Sequence, residues 1–153
     1  MSAITLRGAR AGDVAQIAGL INGFAAEATM LPKTSWSIAQ SLHDFVVATN
    51  EHGRVLACGA VQEYSPSLAE VASVAVARSE HGRGLGRMIV REVEALARAR
   101  GIGELFALTT TPAFFTAMGY VPTDRARYPE KIRRDCIGCP RRAACVEVCV
   151  RAA

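Results

Sequence analysis

The sequence predicts an α/β protein, a mixed sheet with helices packed on it, and three observations support that class. Short segments rich in β-branched and small residues alternate with longer ones whose apolar residues recur at helical spacing. A glycine-rich turn, His81–Arg87 (HGRGLGR), joins one such strand to a strongly amphipathic segment. The chain has 153 residues, 50% of them hydrophobic, which suffices for one domain with its own core.

Taken in order, AITLRGA reads as a first strand and AGDVAQIAGLINGFAAE as a helix, with Asp13 near its start where a carboxylate favours the dipole. Pro32 breaks the chain into a loop, MLPKTS, before a shorter helix over WSIAQSLHDF. FVVATN and RVLACGAVQEY flank Glu51-His52-Gly53 and read as a hairpin. LAEVASVAVAR is a buried strand by composition. LGRMIVREVEALARARG follows, with Leu85, Met88, Ile89, Val93, Leu96 and Ala97 on one helical face. GELFALT is a further strand, PAFFTAM a short helix with Pro112 in its first turn, and a last strand lies near Tyr120.

Charge and hydropathy narrow the function. The net charge of +4 comes from arginines scattered through Arg83–Arg100 and the tail, without the interleaved aromatics of a single-strand binder. No nucleic-acid partner is expected, and an anionic cofactor accounts for the charge equally well. No apolar run approaches a membrane span, and MSAITLRGAR lacks an apolar signal region. The expectation is a cytoplasmic protein with no membrane association.

Strand, glycine loop and helix together present backbone N–H groups and a positive helix end to a phosphate. The loop is not a Walker A motif, because Gly86 is followed by Arg87 and no Lys-Ser/Thr pair. Nor is it the dinucleotide fingerprint, since Gly82, Gly84 and Gly86 alternate and stand past mid-chain. A connection using glycine for tight geometry alone is the competing reading. Arg83 and Arg87 add charge where an anion would lie.

The segment His81-Gly82-Arg83-Gly84-Leu85-Gly86 resembles the [QR]-x-x-G-x-[GA] signature of the GNAT N-acetyltransferases, with His81 at the position of Gln or Arg. PAFFTAMGYVP is similar to the family's short helix followed by F-x-x-x-G-[FY], here Phe115 to Tyr120. The resemblance covers most of the chain. It implies a single N-acetyltransferase domain over 1–153 with a Cys-rich tail over 135–153. It also implies a mostly antiparallel mixed sheet, helices on both faces, and a splayed parallel strand pair at the cofactor site. The cofactor would be acetyl-CoA, its pyrophosphate held by His81, Gly82, Arg83, Gly84, Leu85, Gly86 and Arg87. The backbone of Val74, Ala75 and Val76 would pair with the pantetheine arm and the thioester oxygen, with Phe115 also at the cofactor. Dimers are common in the family, so a homodimer is compatible.

Within that family, AEVASVAV, LFALTT, FFTAMGY and YPEKIRRDC resemble the amino-acid acetyltransferases that include N-acetylglutamate synthases. Lys33-Thr34 stands where those enzymes carry an Arg-Ser pair used on the substrate carboxylate; lysine keeps the charge but loses the bidentate fork. The amino-acid-kinase domain of the long synthases has no counterpart, so the chain reads as a short, stand-alone version. The reaction implied is transfer of acetyl from acetyl-CoA to the amine of an amino acid, glutamate among the candidates, by direct attack in a ternary complex. Acetylation of another small amine, and a non-catalytic acetyl-CoA- or metal-binding module, are the alternatives.

An ammonium acceptor must lose a proton before it attacks the thioester. Glu70 matches the family carboxylate assigned as general base; otherwise it is an ordinary strand residue, and Glu63 substitutes if Glu70 faces the wrong way. The Val74 and Val76 amides are candidate donors to the developing oxyanion, unless they serve sheet pairing alone. Many family members place a proton-donating Tyr where this chain has Phe115, which packs and cannot donate. Thr109 matches a hydroxyl residue facing the thiolate in the glutamate synthases, and fits equally as a β-branched strand residue. An amino-acid carboxylate needs a cation: Lys33, then Lys131 or Arg133, each also readable as a solvated charge.

Cys58, in an apolar strand without a nearby His, reads as a buried structural thiol. Cys136, Cys139, Cys145 and Cys149 begin with C-x-x-C, a soft-metal spacing, and Cys145 and Cys149 at i, i+4 suit one helix face. Metal, reduced thiols and a local disulfide stay open, and no metal ligand is assigned. The tail would also carry Arg133 and Arg134 towards the acceptor.

Overall fold

A computed structural model describes residues 3–25, 30–139, 145 and 147–153. Its strands are β1 (Thr5–Gly8), β2 (Phe45–Thr49), β3 (Val55–Ser65), β4 (Leu68–Val76), β5 (Glu104–Thr109), β6 (Tyr120–Pro122) and β7 (Val148–Ala152). Among the described residues they form one sheet in the order β1-β2-β3-β4-β5-β7-β6. Pairs β1–β2, β2–β3, β5–β7 and β6–β7 are antiparallel, and β4–β5 is parallel. The β4–β5 ladder joins Leu68–Glu70 to Glu104–Phe106, while β4 continues to Val76 and β5 to Thr109. The expected α/β class with a mixed sheet is observed.

Packing divides the chain into two units, Met1–Gln62 with Val71–Arg100, and Glu63–Glu70 with Gly101–Ala153. In the first, helix α1 (Val14–Ala25) buries Ile17, Ala18 and Ile21, an i, i+1, i+4 stripe, in a core with Ile38, Phe45, Val47 and Val55. Each such aliphatic side chain contributes about 1.5–3 kcal/mol on burial. Helix α2 is shorter than expected: it spans Ser35–Gln40, capped by the Thr34 hydroxyl accepting the Ser37 N–H at 3.0 Å, and Leu42–Asp44 forms a 3₁₀ turn. Helix α3 (Leu85–Ala99) buries Leu85, Ile89, Val90, Val93 and Ala97 and ends at Arg100, whose guanidinium reaches Asp44 at 2.7 Å. Gly59 on β3 lets this helix approach, since a Cβ there would stand 2.5 Å from Ile89 Cγ2 and 3.1 Å from Val93 Cγ2.

Asp13 stands directly before α1, as expected, and has a second task there. It closes a 3₁₀ turn before α1 and accepts both guanidinium nitrogens of Arg7 at 2.7 and 3.0 Å, as well as the Arg10 N–H at 2.8 Å. The Arg7 hydrogen bond, above all, holds its carboxyl below the ordinary carboxylate range. The expected end of the first helix, near Glu27, lies outside the described residues.

The second unit packs Leu68, Phe106, Tyr128 and Cys149 together. Phe106 stacks on Tyr128 at 4.1 Å between centroids and tilts against Tyr64 at 5.8 Å. Helix α4 (Pro112–Thr116) has Pro112 in its first turn, as expected. Helix α5 (Pro129–Lys131) runs into a π-turn, Ile132–Cys136, closed by the Ile137 N–H on the Ile132 carbonyl at 3.0 Å. The strand at Tyr120 is not the last in the chain. β7 follows it and lies between β5 and β6, so Cys149 is a strand residue and the helical face expected for Cys145 and Cys149 does not exist. Backbone pairing on both edges outweighs the i, i+4 spacing.

Gly59→Ala is expected to lower stability by about 1–3 kcal/mol in urea unfolding, because Ile89 and Val93 are buried and have little room to yield. Asp13→Asn is expected to cost about 2 kcal/mol at neutral pH. A depressed carboxyl contributes stability above its unfolded pKa and loses it as pH falls through the folded one. An acid titration of the unfolding midpoint should therefore show a component in wild type that Asp13→Asn lacks.

Candidate active site

In the second unit, Glu70 is a buried carboxyl at the last β4 residue paired to β5. Its Oε1 lies 3.0 Å from Lys131 Nζ and 3.0 Å from the Tyr64 hydroxyl. Lys131 also reaches Asp135 Oδ2 at 3.1 Å, and the Tyr64 hydroxyl makes a short contact to the same oxygen. Arg134 covers the group, its guanidinium 4.0 Å over the Tyr64 ring, its Nη1 donating to the Glu63 carbonyl at 3.0 Å, and its Nε 3.7 Å from Asp135 Oδ1.

Burial raises the Glu70 pKa, and Lys131 opposes the rise without cancelling it. Burial alone would lower Lys131, but Glu70 and Asp135 outweigh it, so the ammonium is favoured. Burial also acts to raise Asp135, yet Tyr64 and Lys131 hold it below the ordinary range. Burial, with both carboxylates, pushes the Tyr64 phenol well up, so it stays a donor. One phenolic proton cannot serve two carboxylate oxygens at once. Of the two carboxyls, Glu70 is the one whose proton affinity is raised.

Thr109 is buried at the end of β5; its Oγ1 accepts the Thr111 N–H at 2.9 Å and lies 3.1 Å from Thr111 Oγ1. Phe115 is buried edge-to-face against Phe114 and Tyr120, both at 5.1 Å, the packing role expected of a ring with no proton to give. Arg133 is exposed, and it is Arg134 that joins the Glu70 group. Of the other cysteines, Cys145 is exposed and receives the Arg125 guanidinium at 3.5 Å, and Cys149 is buried, its thiol pushed up to about 11 chiefly by burial. All five are free thiols, and among the described residues no cluster of three or more His, Cys, Asp or Glu is placed to hold a metal.

The first unit carries the glycine loop. Gly82 (φ +84°) and Gly84 (φ +79°) occupy the left-handed region, where a Cβ would strain the backbone although nothing stands within 4 Å of it. Gly84 precedes α3 with no side-chain cap, so the first amides of a 15-residue helix are open to an anion. Arg83 pairs with Glu80, and Arg87 is exposed. These features fit a phosphate-bearing cofactor. His81 has a definite partner: its Nε2 lies 2.9 Å from the Val76 carbonyl, which can only accept, so the ring proton sits there. The ring also stacks on Phe24 at 6.2 Å.

Ser73 just upstream has φ +55°, a conformation rare outside glycine, which bends β4 ahead of Val74–Val76. The Cys58 thiol donates to the Ser73 carbonyl at 3.5 Å, and burial pushes it up to about 12, so Cys58 is structural, as expected. Lys33 also lies in this unit, its backbone clamped by Asn22 at 2.8 and 2.9 Å.

Among the expected site residues the structure thus brings Glu70 and Lys131 together, and it adds Tyr64 and Asp135, which sequence inspection overlooked. Signals for both existed. Lys131 and Asp135 are i, i+4, and Tyr64 and Glu70 flank the tight Pro66–Ser67 turn. Glu63, the substitute base, is exposed where Glu70 is buried.

Residues 16–120 match the Acetyltransferase (GNAT) family. A Chlorobaculum tepidum protein named as an uncharacterized N-acetyltransferase is 38% identical over 143 residues, 94% of this chain and 92% of its own length. The Ralstonia nicotianae amino-acid acetyltransferase is 33% identical over 131 residues, 84% of this chain; this chain spans 29% of that larger protein. N-acetylglutamate synthase from Neisseria gonorrhoeae, solved with coenzyme A and N-acetyl-glutamate, shares the fold with a TM-score of 0.87 at 23% identity, over 99% of this chain and 35% of its own. A Mycobacterium tuberculosis protein solved with CoA gives 0.79 at 25% identity, over 97% and 98%. This chain is an acetyl-CoA-dependent N-acetyltransferase and belongs to the Acetyltransferase (GNAT) family.

Proposed function

We propose that the chain acetylates the amine of a free amino acid, glutamate first among the candidates, by direct attack in a ternary complex, and that one catalytic domain spans 1–153. The observation that carries this reading is the Glu70 carboxyl, buried, raised in pKa and held beside the Lys131 ammonium at 3.0 Å. A carboxyl shifted towards neutrality is a better match for the proton of an ammonium than an exposed one. The relatives named amino-acid acetyltransferases support an amino acid as the acceptor class.

When bound, acetyl-CoA supplies an acetyl thioester as the electrophile. His81, Gly82, Arg83, Gly84, Leu85, Gly86 and Arg87 would hold its pyrophosphate, through open amides and the charge of Arg87. The backbone of Val74, Ala75 and Val76 would align the pantetheine arm, and Phe115 would wall the cofactor. Glu70 takes the proton from the acceptor ammonium at its carboxyl oxygen. Thr109, whose oxygen is fixed by the Thr111 N–H, keeps its own proton to donate towards the leaving sulfur. Lys131 is the cation assigned to the acceptor carboxylate, ahead of Lys33 and Arg133, because it already sits at Glu70.

Thiol release from acetyl-CoA against a panel of amines tests this. Glutamate or another free amino acid should be turned over, and Glu70→Gln should lower kcat roughly 10²- to 10⁴-fold, leaving the acetyl-CoA KM within about threefold. The base works only when deprotonated, so wild-type kcat/KM should rise with pH through a limb above the ordinary carboxylate range. Turnover confined to amines that are not amino acids, or unchanged in Glu70→Gln, contradicts the proposal. Arg87→Ala should raise the acetyl-CoA KM about tenfold, the loss of one charge-assisted contact, with kcat retained.

A further inference from the structure

Lys131 stands where an acceptor ammonium has to stand. Its Nζ is 3.0 Å from Glu70 Oε1 and 3.1 Å from Asp135 Oδ2, with side-chain exposure of 13% for Lys131 and 8% for Glu70. Among the described residues, the ion-paired groups at Glu70 balance: Glu70 and Asp135 against Lys131 and Arg134. Tyr64 from β3 and Cys149 from β7 also stand near it, both pushed up by burial and therefore neutral. In such a site a ligand that adds one unpaired charge meets the desolvation penalty of a buried charge, whereas one that brings equal and opposite charges is compensated.

We propose that the acceptor enters by ion-pair exchange, its ammonium replacing Lys131 on Glu70 and its carboxylate replacing Glu70 on Lys131, so that the site selects zwitterionic α-amino acids. Tyr64 and Asp135 are the positioning residues that hold Glu70 and Lys131 through the exchange. This rests on the reading of Glu70 as the base. An α-amino acid carries its ammonium and carboxylate on one carbon, so a single ligand can offer a partner to each of two groups now 3.0 Å apart once Lys131 moves aside. A simple amine, an amino-acid amide or a peptide N-terminus brings the cation without the anion. Each would strand Lys131 with Asp135 alone and place three cations against two carboxylates. After exchange, the proton leaves the acceptor nitrogen for the Glu70 carboxylate, the nitrogen keeps its electron pair for attack, and Lys131 remains an ammonium on the acceptor carboxylate.

The test compares kcat/KM, at saturating acetyl-CoA, for glutamate, its α-carboxamide and its α-decarboxylated amine in wild type, Lys131→Met, Lys131→Arg, Tyr64→Phe and Asp135→Asn. Wild type should prefer the amino acid over the amide by on the order of 100-fold. Lys131→Met should bring the two to within roughly threefold by losing activity on the acid, and Lys131→Arg should restore much of the preference. The acid limb of the pH profile should move up in Lys131→Met and Tyr64→Phe, which remove groups favouring the Glu70 carboxylate. It should move down in Asp135→Asn, which removes a like charge. A structural role alone would lower acid and amide equally and leave the limb in place, and that result overturns the inference. A wild type that acetylates the amide as well as the acid also overturns it, with the functional proposal intact. A wild type that acetylates no amino acid contradicts the functional proposal and this inference with it.

Discussion

The ion pair between Glu70 and Lys131 is the constraint around which the second unit is organised. A buried carboxylate is tolerated only with a cation and hydrogen bonds to its oxygens, and removing one partner of such a pair costs about 3–5 kcal/mol. The chain meets that demand with elements far apart in sequence. The Pro66–Ser67 turn returns β4 alongside β3, so Tyr64 reaches Glu70. Phe106 on β5 stacks on Tyr128, which fixes the start of α5. The π-turn that follows sets Asp135 beside Lys131, so both ends of the ammonium are occupied. A π-turn is costly as helix geometry and recurs at functional sites, where an altered side-chain direction is useful.

The first unit solves a different problem, presenting backbone groups instead of side chains. Ser73 in a left-handed conformation bends β4, and the Cys58 thiol supports the bend at the Ser73 carbonyl. A few residues on, His81 ties the start of the glycine loop back to the Val76 carbonyl. Where the family carries Gln or Arg, this chain has a ring that bonds to the backbone of β4. Ser73 in a left-handed conformation and the uncapped start of α3 both lie in the stretch that joins β4 to α3.

Much of this was legible in the sequence. The strand–loop–helix around Gly82 and Gly84 reads directly, because glycine at left-handed positions and a 3.6-residue apolar period are local signals. Family resemblance singled out Glu70, Thr109 and Phe115, all three of which are buried, and the apolar surroundings of Cys58 marked it as structural. What stayed hidden depends on tertiary placement. Lys131 is one of three candidate cations in the sequence, and only its place beside Glu70 sets it apart. Arg134 and Arg133 are indistinguishable in YPEKIRRDC, and only the turn geometry selects Arg134. β7 was missed because four cysteines draw attention to metal spacing, while a five-residue strand owes its existence to neighbours β5 and β6 on either side. Asp13 shows the same effect at small scale: a helix-start carboxylate by position is, in space, the partner of Arg7.

The most direct measurement of the central claim is a crystal structure of the protein with coenzyme A and an N-acetyl-α-amino acid. The product carboxylate should lie about 3 Å from Lys131 Nζ, with the amide nitrogen facing Glu70 and the Glu70–Lys131 contact opened. An intact Glu70–Lys131 pair with the product bound elsewhere would contradict it.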